Sequence, residues 1–223
     1  MKNELTFSSL FCEPERSIAY RYLSAYTYPW GALDHITAII EALARDLPTD
    51  VYEEHSSGVW IAKTAKVAPS AYIGAPCIIC EEAEIRHGAF IRSAAIVGRG
   101  AVVGNSVELK NCILFDGAQV PHYNYVGDSI LGYRAHMGAG AVTSNVKGNK
   151  SLVTVRIDGE GMETGRRKLG AILGDYAEIG CNCVLNPGTV VGRNAQVYPL
   201  SSVRGYVPGD HIYKASNQII KKH

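Results

Sequence analysis

The sequence predicts a mainly β fold, a parallel β-helix preceded by a short helical segment and interrupted by one hairpin. Two observations carry this. Aliphatic residues recur every sixth position from Ile61 through Val67, Ile73, Ile79, Ile85, Ile91, Val97 and Val103 to Leu109, and again from Leu173 through Ile179, Leu185, Val191 and Val197 to Val203. A small residue stands two positions before most of them, as at Ala65, Ala71, Cys77, Ala83, Ala89, Ala95 and Ala101. A helix requires apolar spacing near 3.6 and a half-buried strand alternates by two, so a period of six fits neither. It fits short strands stacked coil upon coil, each burying its aliphatic residue against the next. Three such strands make a triangular prism of about 18 residues per coil.

The elements follow in order. Residues 1–58 read as a helical adaptor. In "YPWGALDHITAIIEALARDLP", Leu33, Ile36, Ile40, Leu43 and Leu47 fall on one helical face and Pro48 stops the helix. This segment is expected to cover the open end of the solenoid or another subunit. The β-helix occupies residues 59–208. Within it, "SLVTVRIDGEGMETGRRKLG" (151–170) alternates, turns at Asp158-Gly159 and ends on a basic run, which predicts a projecting hairpin. Residues 209–223 form a tail expected to end in a short helix.

Composition limits the partners. The 223 residues carry a net charge of +1 and are 47% hydrophobic, which predicts a globular protein with no overall attraction to nucleic acid or an acidic membrane. The N-terminal residues contain early acids and no long apolar run, so neither a leader nor a membrane span is expected, and a cytoplasmic location follows. Six cysteines are scattered, and the one CxxC, Cys77 to Cys80, lacks a second pair to complete a zinc site. Cys77 and Cys183 instead occupy small-residue core slots.

Chemistry is read from the coil frame. Arg92 and Lys110 each follow a core aliphatic residue and lie one coil apart, so they are expected on adjacent strands about 4.8 Å apart. An anion between them would relieve like-charge repulsion; two solvated cations leaning apart is the alternative. After Leu109 the next core residues are Leu114, Val120, Val126, Leu131 and Met137, a slip of frame that calls for a bulged corner. His122, Tyr123 and Tyr125 fall near it. A histidine beside a phosphate site suits proton abstraction, since its pKa lies near neutrality; an exposed corner histidine is the alternative. The run "GAGAVTSNVKGNK" brings backbone amides, Asn145 and lysines, without Walker spacing.

At "VVGNSVELKNCILFDGAQVPHYNYVGDSILGYRAHMGAGAVTSN" the chain resembles the acetyltransferase domain of the bifunctional N-acetylglucosamine-1-phosphate uridyltransferase/glucosamine-1-phosphate acetyltransferases. At "METGRRKLGAILGDYAEIGCNCVLNPGTVVG" it is similar to the C-terminal domain of archaeal-type sugar-1-phosphate nucleotidylyltransferases. The resemblance covers about residues 60–208 and implies a left-handed β-helix, acetyl-CoA as co-substrate without a metal, and a homotrimer with sites between subunits. It implies that His122 is the general base. It assigns Arg92, Lys110, Tyr125, His136, Asn145 and Lys150 to the sugar phosphate, and Ala139 and Cys181 to the coenzyme groove. His136 and Cys181 stand where the relatives carry asparagine and serine. No "GxGTR"-like signature of the pyrophosphorylase domain is present, so no nucleotidyl transfer is expected, and a separate nucleotidylyltransferase is the protein partner to expect. The expected reaction is N-acetylation of a hexosamine 1-phosphate. The alternative is a non-catalytic relative that binds a sugar phosphate or nucleotide sugar, or acts as a scaffold.

Overall fold

The computed structural model describes residues 2–215 and 218–222. It is the expected parallel β-helix, of about nine turns. The repeating aliphatic residues fill its axis: Ile79, Ile91, Val97, Val103, Leu109, Leu114, Val120, Val126, Leu131 and Met137 are all fully buried. Strands of successive coils pair in parallel, as Val59–Ala62 with Cys77–Ile79 and Cys77–Ile79 with Phe90–Val97. Each coil has three faces. In one coil, Gln119–His122 lies on face I, while Tyr125–Leu131 bends at Asp128 from face II to face III.

The slip of frame is real, but it lies earlier than His122. Phe90 opposes Glu108 at an offset of 18, whereas Ser93 opposes Lys110 at 17, with the irregularity between Ile91 and Ser93. Arg92 is the extra residue. The register at His122, which opposes Asn105, continues at 17 without a bulge. The relocation follows from sterics: a Cβ on Gly74 would lie 2.2 Å from the Arg92 carbonyl oxygen, so the glycine one coil below is what makes room for the bulge.

The helical part of the N-terminal segment packs along face III, while its last strand, Tyr52–Ser56, pairs antiparallel with Val59–Ala62 at the first-coil edge of the solenoid. Its helical turns include Pro29–His35 and Ile36–Ala44, and Leu33, Ile36, Ile40, Leu43 and Leu47 are buried as their spacing requires. They meet an outward column of Ile78, Ile96, Ile113, Ile130, Ile172 and Val190, each fully buried. Fully burying one such side chain stabilises by about 1.5–3 kcal/mol, so a face carrying six apolar residues is one that must be covered. Phe11 stacks on Phe115 at 4.8 Å between ring centroids. "CIIC" is part of this arrangement. Cys77 is inside the coil, and burial pushes the Cys80 thiol up to about 12.

The hairpin forms between Thr154–Ile157 and Glu160–Glu163, turning at Asp158-Gly159, both with positive φ. It does not project. Val153, Val155 and Ile157, one side of its alternation, are buried in the same apolar layer as the N-terminal segment. The tail is a second hairpin, His211–Ala215 with Gln218–Lys221, in place of the expected helix. The reason is Tyr213, which follows Val197 in the core column, is 4% exposed and donates its hydroxyl to Ser202 O at 3.1 Å. Among the described residues no helix is long and apolar enough to cross a membrane.

Candidate functional site

The corner between faces II and III requires a left-handed backbone, supplied in three successive coils by Ala94, Asn111 and Asp128 at φ near +50°. Asp128 is the centre of this corner. Its side chain is 3% exposed, and it accepts from Lys110 Nζ at 3.3 Å, Asn111 Nδ2 at 2.9 Å and Asn145 Nδ2 at 2.5 Å. A buried carboxylate is stable only with such partners. Asn111 also donates to Leu33 O at 3.1 Å, which ties the knot to the N-terminal segment.

Arg92 and Lys110 do not share a rung. The bulge places Ser93 opposite Lys110 and frees Arg92, whose Nη1 donates to Glu108 Oε1 at 2.9 Å. Each cation therefore has its own carboxylate, and the repulsion expected from their spacing is absent. Positive charge in excess comes from elsewhere. The chain returning from the hairpin, Arg166-Arg167-Lys168, walls a cleft of about 430 Å³ against Lys110, Asn111 and Asp128. Arg166 is 9% exposed, pairs with Asp34 and donates Nε to Lys168 O at 3.1 Å, so it braces the loop and leaves Arg167 and Lys168 exposed at the mouth. In the sequence these residues read only as the basic end of a hairpin. The signal was the return into the coil two residues later, where Gly170 N donates to Asp128 O at 2.9 Å.

Tyr125 spans the middle of face II. Its ring lies over Gly127, where a Cβ would come within 2.3 Å of the hydroxyl, and Asn145 Nδ2 donates to that hydroxyl at 3.3 Å. Burial first, then the Asp128 and Glu108 carboxylates, raise its pKa, so the phenol is neutral and able to donate.

His122 ends Gln119–His122 at the corner between faces I and II. Asn124, buried beneath, fixes that corner: its Oδ1 accepts from His122 N at 3.1 Å and its Nδ2 donates to Gly138 O and Ala141 O. The His122 imidazole is exposed, with no hydrogen-bond partner among the described residues. The corners above it stack in register: Gly140 N donates to His122 O, Asn182 N to Ala139 O and Leu200 N to Cys181 O. His122, Ala139 and Cys181 thus form one column. Face II, about 10 Å of strand at 3.3 Å per residue, separates that column from the Asp128 knot.

Two expected residues stand apart. His136 lies on face I between Gln119 and Glu178, its Nδ1 2.9 Å from Glu178 Oε2. Lys150 is exposed in the loop leading to the hairpin, its backbone N donating to Lys147 O. Lys110, Tyr125 and Asn145 are brought together, Arg92 comes beside them through Glu108, and Ala139 and Cys181 align with His122.

Residues 73–162 match the family model described as the GMPPB C-terminal domain. A bifunctional sugar-1-phosphate nucleotidylyltransferase/acetyltransferase from Sulfurisphaera tokodaii is 37% identical over 94 residues, covering 42% of this chain and 23% of the relative. The bifunctional protein GlmU of Methanococcus aeolicus is 30% identical over 196 residues, covering 86% of this chain and 47% of the relative. The chain thus spans less than half the length of these curated relatives. The acetyltransferase domain of PglB from Neisseria gonorrhoeae, solved in complex with acetyl coenzyme A, aligns with a TM-score of 0.32 at 17% identity, covering 82% of this chain and 62% of that chain. The resemblance read from the motifs is borne out.

Proposed function

We propose that this chain transfers an acetyl group from acetyl-CoA to the amine of a hexosamine 1-phosphate. The observation that carries the reading is the division of face II. At one edge stands an unpartnered imidazole in a column with Ala139 and Cys181; at the other, a fixed Lys110–Asp128–Asn145 knot opens onto a basic cleft, with the neutral Tyr125 phenol between. The sequence similarity to nucleotidylyltransferase/acetyltransferases supports the same reading.

In this mechanism Lys110, Arg167 and Lys168 hold the sugar phosphate, and Tyr125 donates its hydroxyl proton in a hydrogen bond to it. His122 accepts the amine proton as the nitrogen attacks the thioester carbon; the C–S bond breaks, the thiolate takes that proton from the His122 imidazolium, and coenzyme A leaves as its thiol. The width of face II favours a homotrimer in which one subunit's knot faces the next subunit's His122.

Coenzyme A thiol release with glucosamine 1-phosphate or galactosamine 1-phosphate tests the proposal. Proton-transfer assistance contributes about 10²- to 10⁴-fold, so His122→Ala should lower turnover on that scale with the fold retained. Sugar-phosphate binding without any thiol release refutes the transferase and favours the binding-only alternative.

A further inference from the structure

Beside the phosphate-holding residues lies a surface that the proposed reaction does not use. The outward column of face II runs in register from Tyr72 through Phe90 and Glu108 to Tyr125. Tyr72 is 60% and Phe90 41% exposed, and their rings lean together at 5.4 Å between centroids and 58°. Two large aromatic rings stand on adjacent rungs, both open to solvent, and Arg92 follows Phe90 by two residues. That arginine is half-exposed and belongs to the same strand as Phe90.

The bulge is what aims Arg92 at this column. It inserts one residue without disturbing the core, it is accommodated by the absent Cβ of Gly74, and it turns the guanidinium onto Glu108, the rung between Phe90 and Tyr125. Moving down the coils from the Asp128 knot, one meets Lys110, then Arg92 and Phe90 on one rung, then Tyr72. Cations followed by ring faces over three rungs of about 4.8 Å, roughly 14 Å in all, is the order of groups in a molecule with phosphates at one end and a flat base at the other.

We infer that Tyr72 and Phe90 form a base-stacking platform, and that the site also takes the hexosamine when its phosphate is extended to a nucleoside diphosphate. The sugar's own phosphate stays at Lys110 and the cleft. The next phosphate meets the Arg92 guanidinium, which exchanges Glu108 for it, and the base lies on the Phe90 ring with Tyr72, inclined to that ring by 58°, against its edge. Every base has a π-face, so stacking alone does not select which base. The inference rests on the proposed site only for the position of the sugar phosphate.

Titration calorimetry with uridine 5′-diphosphate, glucosamine 1-phosphate and inorganic phosphate tests it in the intact chain. UDP is expected to bind about tenfold or more tighter than glucosamine 1-phosphate. Phe90→Ala should weaken UDP by about 5- to 150-fold, the measured range for removing one base-stacking aromatic, and leave glucosamine 1-phosphate within about twofold. Phe90→Trp keeps a ring face and should keep the UDP affinity. UDP binding no tighter than inorganic phosphate, or unchanged in Phe90→Ala, overturns the platform. So does a change of mass in light scattering with UDP affinity intact, which would make the aromatic pair a contact between copies of the chain. Thiol release with glucosamine 1-phosphate, measured in the same variants, reports the transferase separately. Its absence together with loss of UDP binding in Phe90→Ala would refute the transferase and sustain the platform.

Discussion

Gly127→Ala isolates the role of Tyr125. The backbone at Gly127 is outside the left-handed region, so alanine suits its conformation. The added Cβ would nevertheless lie 2.3 Å from the Tyr125 hydroxyl oxygen, 2.6 Å from Cζ and 2.9 Å from Cε1. Ordinary contact begins at 3.4 Å, so the ring must withdraw by about 1 Å, a displacement that typically costs about 10²-fold when it moves a positioning group. Stability should barely change. The Asn145–Tyr125 hydrogen bond is worth about 1 kcal/mol, and the lower entropy of an unfolded alanine chain returns about 0.4–1 kcal/mol. The expected result is a fall of about 10²-fold in kcat/KM for thiol release, with a melting temperature within about 4 °C of the parent. Tyr125→Ala/Gly127→Ala removes the clash without restoring activity. Full activity in Gly127→Ala would refute the argument that Tyr125 acts from this position.

Other perturbations address the structure around the site. Asp128→Ala leaves Lys110, Asn111 and Asn145 without their common acceptor, and breaking such a buried pair costs about 3–5 kcal/mol, a fall in melting temperature of roughly 6–20 °C. Ile113→Ala opens a cavity between face III and the N-terminal segment and should cost about 2–5 kcal/mol, read as a lower denaturant midpoint at unchanged m. Burial raises the Asp116 carboxyl above its ordinary 3.8, so the folded state binds that proton more tightly than the unfolded chain. Its contribution is most favourable at acid pH and declines as pH rises through the window between the ordinary and raised values; Asp116→Asn should flatten this part of a melting-temperature profile.

The axis of the solenoid was legible because each inward position repeats with one phase. Face III was legible too, in a pattern that the period of six passes over. Ile78-Ile79, Ile96-Val97, Ile113-Leu114, Ile130-Leu131, Ile172-Leu173 and Val190-Val191 are doubled aliphatics, one pair per coil. The second member of each points inward. The first points outward, and an outward apolar column on a single face calls for a covering layer, which the N-terminal segment and hairpin supply. The bulge was harder to place. Six residues separate Ile91 from Val97 and five separate Leu109 from Leu114, so the core phase shows that a residue is lost between coils but not where. The difference falls at Arg92, and an even 18-residue frame therefore set Arg92 beside Lys110 when its true neighbour is Glu108.

Charge makes the consequence concrete. Within the coil itself the candidate site is neutral, since Arg92 is matched by Glu108 and Lys110 by Asp128. An anion reaching Lys110 alone meets a cation already paired with a buried carboxylate, and one reaching the half-exposed Arg92 must displace Glu108. Net positive potential at the cleft requires Arg167 and Lys168, because Arg166 is spent on Asp34. Those residues belong to residues 151–170, which in the hexapeptide pattern is only an interruption. The interruption leaves the coil after Asn145, which donates to the Asp128 carboxylate, and re-enters at Gly170, whose amide donates to the Asp128 backbone carbonyl, so both of its ends are anchored on the same residue. Anion binding at this corner thus depends on the inserted hairpin as much as on the repeat, and the N-terminal segment, through Asp34 and Leu33, holds the two together.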